Sequence, residues 1–88
     1  MKVSNMVSSK GNDVPNQFTI QSEFGHTFQS YKSIIAFIDN TGKVTLDEYY
    51  WNYSRTTSKY LSMFLECSTS AIKLRIKDGT YKLANLNP

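Results

Sequence analysis

The sequence predicts a small α+β domain: an antiparallel sheet of three to four strands with two C-terminal helices packed on it. Between residues 17 and 48, apolar residues alternate with polar ones or form short β-branched runs separated by turn residues, as strands require. From Ser54 onward, apolar residues recur at helical spacing behind residues that cap helices. The chain has 88 residues, enough for one hydrophobic core, so we expect one folded domain.

Residues 1–16 are predicted to form a flexible N-terminal arm, which leaves residues 17–88 as the domain. The segment is polar and contains Gly11, Asn12, Asp13 and Pro15, which favour irregular structure. Because the segment offers little apolar surface to bury, deleting residues 1–10 is expected to leave the melting temperature almost unchanged.

The next part of the chain carries the strand signals. In "QFTIQ", Phe18 and Ile20 alternate with polar neighbours, and Gly25 supports a turn before "TFQSY", whose Phe28 points inward. The run "SIIAFID", the loop "NTG" and "KVTLD" then form a hairpin in which Gly42 can adopt the left-handed conformation. Its inward residues are predicted to be Ile35, Phe37, Val44 and Leu46. The segment "SYKSIIAF" could instead begin as a short helix, since β-branched residues are its only strong strand signal.

A first helix is predicted over residues 56–66, with Ser54 or Thr56–Thr57 as its N-cap. One helical face carries Tyr60, Leu61, Phe64 and Leu65. The segment "CSTS" interrupts this helix, and Ser68 or Thr69 can cap the element that follows.

Residues 71–83 fit two different structures. Apolar and basic residues alternate around Asp78–Gly79, which is typical of a hairpin with a two-residue turn. A helix that stops at Gly79, followed by a closing strand or an extended tail, is favoured because both ends of the segment carry stop signals.

The aromatic segment 49–53, "YYWNY", precedes the first helix. Such a cluster usually joins helices to a sheet by packing. Alternatively, beside Arg55 and Lys59 it could stack the bases of a single-stranded nucleic acid.

Enzymatic chemistry is not expected, and neither catalytic residues, nor a metal, nor a cofactor is predicted. His26 is the only histidine and Cys67 the only cysteine, whereas zinc sites require several such ligands. Asp47 and Glu48 are adjacent and would point to opposite faces of a strand, and neither common phosphate-binding glycine loop occurs. No apolar stretch suits a membrane span or a signal peptide, so we expect a cytoplasmic protein that does not bind membranes.

The positive charge is concentrated in the second half of the chain. The net charge is +3, and residues 49–88 contain six Lys and Arg against two Asp and Glu. A mildly basic surface of this kind is a common solvated face, and it also suits an acidic partner or a nucleic acid.

Residues 57–77 have the spacing of a helix-turn-helix, the motif that inserts its second helix into the major groove of DNA. Small Ser62 would occupy the close-contact position, and Glu66 occupies the turn position that often needs positive φ. The residues predicted to contact nucleic acid in this interpretation are Arg55, Lys59, Thr69, Ser70 and Lys73, with Lys77 able to touch phosphates. The negative charge of Glu66 and the exposure of Leu74 do not suit that interpretation.

An outward Leu74 would suit an apolar surface of another protein better than a DNA groove. Three basic residues, Lys73, Arg75 and Lys77, would surround it and orient the partner. The sequence therefore predicts a protein-binding surface at these four residues, and a homodimer is a further candidate assembly.

Four segments of the chain, "KGNDVPNQFTI", "FQSYKSIIAFI", "KVTLDEYYWNYSRTTSKY" and "IKDGTYKLANLN", resemble a family of small uncharacterised bacteriophage and prophage accessory proteins. The resemblance extends from about Lys10 onward and carries no site residues with it. It implies a phage protein in the bacterial cytoplasm that binds and inhibits a host protein, an antiviral defence system such as CRISPR being one candidate. The basic charge disfavours inhibition by mimicking DNA.

Overall fold

The computed structural model describes residues 1–87, and Pro88, the last residue of the predicted domain, lies outside the described residues. It confirms an α+β fold with two helices, but the predicted three to four strands are too few, because the sheet has six. In chain order the elements are β1 (Lys2–Val7), β2 (Asp13–Ser22), β3 (Gly25–Ser30), β4 (Ser33–Asp39), β5 (Val44–Asp47), α1 (Arg55–Leu65), α2 (Thr69–Lys77) and β6 (Tyr81–Ala84).

The strands lie side by side in sequence order, β1 to β6. The first five form an antiparallel meander, whereas β6 pairs with β5 in parallel. A parallel neighbour requires a crossover connection, and α1 and α2 provide it. The helical alternative for residues 71–83 is therefore right and the hairpin is wrong. Neither helix within residues 1–87 is long and apolar enough to cross a membrane.

Residues 2–7 and 13–16 are part of the sheet, which corrects the predicted arm. β1 pairs antiparallel with β2, with Val3 opposite Ile20, and Met6 is only 8% exposed. The register shifts between Asn5 and Val7, and the Asn5 side chain donates a 3.0 Å hydrogen bond to the Val14 carbonyl oxygen. The segment was mistaken for an arm because a single buried side chain and an irregular register leave no regular alternation in the sequence.

Deleting residues 1–10 is therefore expected to destabilise the protein, contrary to the expectation from sequence. Removing Met6 from the core should alone cost about 2–5 kcal/mol of the free energy of unfolding, and the backbone hydrogen bonds of β1 are lost as well. Urea unfolding of the full chain, the deletion and Met6→Ala measures both contributions. If the deletion variant has the same unfolding midpoint as the full chain, residues 1–10 contribute no stability and the prediction of a flexible arm is right.

The core lies between the sheet and the helices. Phe28 of β3 is fully buried and stacks on Phe64 of α1, with the ring centroids 5.7 Å apart. Leu61 of α1 and Ile72 of α2 are each 1% exposed. The predicted inward positions Phe28, Ile35, Val44 and Leu46 are confirmed as buried.

Phe37 is the exception, because it is only partly buried. Phe28 pairs with Ala36 but Gln29 pairs with Ile34, so β4 contains one extra residue at this point. This β-bulge puts Ile35 and Ala36 both into the core and shifts the alternation that follows. Phe37 consequently points to the face of the sheet opposite the helices.

Asp47 ties three parts of the fold together at the end of β5. Its side chain is 1% exposed. One carboxylate oxygen accepts hydrogen bonds from the backbone N–H groups of Tyr49 and Tyr50, and the other accepts from the N–H of Leu86 and the side-chain amide of Asn87. Burial raises the pKa of Asp47, but these hydrogen bonds outweigh it and hold the pKa below its ordinary value.

Asn87 extends the same network to β4. Its side-chain oxygen accepts a 2.7 Å hydrogen bond from the Ile34 N–H, and its amide nitrogen donates a 2.8 Å bond to the Ile34 carbonyl oxygen. The amide side chain thus serves as a strand partner for Ile34 beyond the point where the pairing of β4 with β5 ends.

Candidate functional site

The two helices form one capped unit. The Ser54 side chain accepts a hydrogen bond from the Thr57 N–H and begins α1. At the other end, Glu66 adopts the left-handed conformation at φ 56° and ψ 38°. Its N–H donates to the Met63 carbonyl oxygen, and the Cys67 N–H donates to that of Ser62. These two bonds are the Schellman arrangement that ends a helix sharply.

Three residues separate the end of α1 from the start of α2. Ser68 caps it by accepting a hydrogen bond from the Ala71 N–H at 3.2 Å. The hydroxyl groups of Ser62 and Thr69 lie 3.3 Å apart and link the two helices. Ile72 is the one residue of α2 that is fully buried. Most of the remaining α2 surface therefore faces solvent.

The outer face of α2, defined as Ser70, Lys73, Leu74 and Lys77, lies on the opposite side of the helix from Ile72. All four side chains are exposed, and Leu74 is 65% exposed. The outer face therefore presents one large apolar side chain, Leu74, between two ammonium groups. Lys73 directly precedes the leucine, and Lys77 follows it by about one helical turn.

Arg75 has a different environment from its basic neighbours. Its Nη1 atom donates a 2.8 Å hydrogen bond to the phenol oxygen of Tyr81 in β6, and this contact raises the pKa of the guanidinium. Burial raises the pKa of the Tyr81 phenol as well, so Tyr81 remains protonated at neutral pH. Arg75 was predicted to border Leu74 in the binding surface. In the structure its hydrogen bond to Tyr81 instead links α2 to β6 of the sheet.

The nucleic-acid residues predicted from sequence are only partly brought together. Arg55 and Lys59 are exposed one turn apart on α1, and Ser70 and Lys73 are exposed on α2. Thr69, by contrast, is partly buried and turned towards Ser62. The turn of three residues between the helices has the length found in helix-turn-helix motifs, and its left-handed residue is the exposed acid Glu66.

The aromatic segment 49–53 forms the turn between β5 and α1. The rings of Tyr49, Tyr50 and Tyr53 pack against one another with centroids 4.7–6.0 Å apart. Tyr50 and Trp51 also pack against the hydrophobic core. This arrangement matches the joint between helices and sheet that the sequence favoured.

The side chains considered for catalysis lie in separate parts of the fold. His26 is exposed on β3, and Cys67 lies in the turn between the helices with its sulfur 3.8 Å from the Tyr81 phenol oxygen. Asp47 is buried and Glu48 is exposed. Across residues 1–87 no three His, Cys, Asp or Glu side chains are grouped so that they could hold a metal ion.

Sequence reasoning missed a second surface, on the side of the sheet away from the helices. We define the open face by five apolar residues that strand alternation places there: Val3, Phe18, Ile20, Ile34 and Phe37. Val3 is 56% exposed and the other four are partly exposed. The alternation of Phe18 and Ile20 was visible in the sequence, but it does not reveal which side of the strand the helices cover.

Comparison with known proteins gives one result. A model described as a family of unknown function (DUF8033) matches residues 1–79. No curated protein and no solved structure matches the chain. The match begins at the first residue and runs through α2, so it includes β1 and both helices. Since it covers most of the chain, the protein belongs to the DUF8033 family.

Proposed function

We propose that this protein is a non-enzymatic accessory protein that binds another protein through the outer face of α2. The single observation behind the proposal is Leu74, a 65% exposed leucine on a helix whose opposite side is anchored in the core. An exposed leucine of this kind contributes to affinity when a partner removes it from water, by about 1.5–3 kcal/mol if burial is complete.

The charges around Leu74 indicate the chemistry of the partner. Lys73 and Lys77 flank the leucine on the same helical face, and both are exposed. The matching surface is an apolar pocket bordered by Asp or Glu side chains. Charges at such a border act mainly on association rate and orientation, whereas the central apolar contact governs dissociation.

The helix is well suited to present this surface because it is held at both ends. Ser68 caps its start, and the bond between Arg75 and Tyr81 ties its last turn to β6. A binding surface ordered before the partner arrives loses less conformational entropy on association.

The biological setting of the proposal comes from the resemblance to bacteriophage and prophage accessory proteins. Such a protein would act in the cytoplasm of a bacterium, and its partner would be a host protein, including a component of an antiviral defence system such as CRISPR. A chain with net charge +3 would inhibit its target by covering a surface and not by imitating DNA.

DNA binding is the alternative function. The turn of three residues between α1 and α2, with Glu66 in the left-handed conformation, supports it, as do the exposed Arg55, Lys59 and Lys73. Two features disfavour DNA binding. The Thr69 hydroxyl contacts Ser62 and is turned away from a DNA groove, and the negative charge of Glu66 would lie near the negatively charged phosphates.

Two variants distinguish these functions once folding is verified by circular dichroism. With the partner captured by the tagged protein from a bacterial host, Leu74→Asp is expected to weaken binding at least about tenfold, because it buries a charge in an apolar contact. Lys73→Ala combined with Lys77→Ala is expected to slow association and to weaken binding only modestly. Surface plasmon resonance of purified protein and partner measures both effects.

If the protein binds DNA, the same two variants are expected to give the opposite results. The parent protein would bind a fluorescent duplex in an anisotropy assay, and the affinity would fall steeply with salt. The double lysine variant would lose that binding and Leu74→Asp would keep it. This combination of results would replace protein binding by DNA binding as the function of α2.

A further inference from the structure

Within residues 1–87, no helix or strand packs on the open face of the sheet. α1 and α2 lie on the other side, where Phe28 stacks on Phe64. On the open side, cross-strand pairing places Ile20 next to Thr27 and Thr27 next to Phe37. Phe18 and Ile34 flank Gln29 in the neighbouring row. These side chains form a continuous surface across the four strands β1 to β4.

β2 shows that this surface is built to be buried. Phe18 and Ile20 point to the open side, while Gln17 and Thr19 point to the helix side. A strand with one solvated face normally does the reverse and turns its apolar residues to the covered side. Gln17 is 1% exposed, so a polar residue occupies the covered position while two large apolar residues face outward.

The occupant of this surface must be apolar and need not be charged. Between its apolar residues the open face carries Thr27 and Gln29, which are uncharged. The charged Lys82 lies beyond them at the border of the face, where it pairs with Thr45. A second copy of the chain meets this requirement, because the uncharged centres of two such faces can meet with Lys82 at the rim. They avoid the repulsion that net charges of +3 would cause at a basic surface.

The dimensions of the chain allow an interface of the size that self-association requires. The chain measures 35 × 28 × 23 Å along its principal axes. The broad side of such a molecule can approach the roughly 800 Å² per partner that specific interfaces bury. Two sheets packed face to face lie about 10 Å apart and share one core. A domain this small gains stability from such an additional core.

We propose that two copies of this chain pack their open faces together and form a homodimer with a β-sandwich at its centre. The outer face of α2 lies on the opposite side of each protomer and remains free for a partner. The dimer is therefore independent of the function proposed above, and it would present two copies of the Leu74 surface.

Sedimentation equilibrium tests the proposal on the full chain, from about 1 to about 200 μM, a range that covers weak homodimers. The parent is expected to approach twice the chain mass of 10.1 kDa. Phe37→Asp introduces a charge at the centre of the interface and is expected to give a folded species of single-chain mass. Leu74→Asp is the matched control, with the same kind of charge on the other side of the molecule, and is expected to remain a dimer.

A second variant keeps the test decisive if Phe37→Asp does not fold. Thr27 is polar and partly exposed on the open face, so Thr27→Lys leaves the core of the protomer intact and is expected to dissociate the dimer. A parent protein that stays monomeric over the whole range overturns the proposal. So does a folded Thr27→Lys variant that keeps the parent's association, or a Leu74→Asp variant that becomes monomeric.

Discussion

Replacing Phe28 with alanine is expected to remove a large part of the protein's free energy of unfolding. The Phe28 ring is fully buried and stacks on Phe64 at 5.7 Å. Its removal leaves a cavity between the sheet and α1 and should cost about 3–5 kcal/mol. A chain of this length has a free energy of unfolding on the order of 4–13 kcal/mol. Urea titration followed by circular dichroism measures the loss.

Phe37→Ala is the matched control for Phe28→Ala, because the same side chain is removed from the other face of the sheet. Phe37 is only partly buried, so the variant is expected to remain folded and to lose about 1 kcal/mol within the protomer. Equal destabilisation by the two variants at concentrations where the parent is monomeric would show that the two faces of the sheet are misassigned.

Asp47→Asn is expected to have the second large effect, about 3 kcal/mol or more. The carboxylate accepts four hydrogen bonds, whereas an asparagine side chain turns an NH₂ group towards two of the four donors. Each buried donor left without an acceptor costs about 1–3 kcal/mol. Thermal unfolding at neutral pH measures the change, with Glu48→Gln as the control because Glu48 is exposed. If Asp47→Asn is as stable as this control, the hydrogen bonds of the Asp47 carboxylate do not stabilise the fold.

The same carboxylate makes stability depend on pH. Since the pKa of Asp47 in the folded state lies below its ordinary value, its contribution is fully present above the unfolded pKa of about 3.9. That contribution is lost as the pH falls through the lower folded pKa. The melting temperature of the parent should thus fall below about pH 4. The fall should be smaller in Asp47→Asn but not absent, because hydrogen bonds also lower the pKa values of Asp39 and Asp78.

The helical half of the protein could be predicted from local signals. The caps at Ser54 and Ser68 and the apolar spacing of Leu61, Phe64 and Ile72 correspond to α1 and α2 of the structure. These signals are readable because capping and helical periodicity involve residues within one or two turns of each other. The exposure of Leu74 followed from the same periodicity.

The sheet was harder to predict because strand pairing joins residues that are distant in sequence. The extra residue at Ile35 reverses the faces of β4 after it, and Phe37 was therefore assigned to the wrong side. β1 carries one buried residue, Met6, and is recognisable only through its partner β2. The parallel pairing of β6 with β5 depends on the path of the two helices.

The sequence by itself determined the α+β class, the two capped helices, the hairpin of β4 and β5, and the exposure of Leu74 between two lysines. Only the tertiary structure decided that residues 2–7 form an edge strand, that Arg75 is held by Tyr81, and that Asp47 joins the C-terminal segment to the sheet. The tertiary structure also decided which side of β2 the helices cover. Alternation shows that a strand has two different faces, and the packing of distant elements decides which of them remains open.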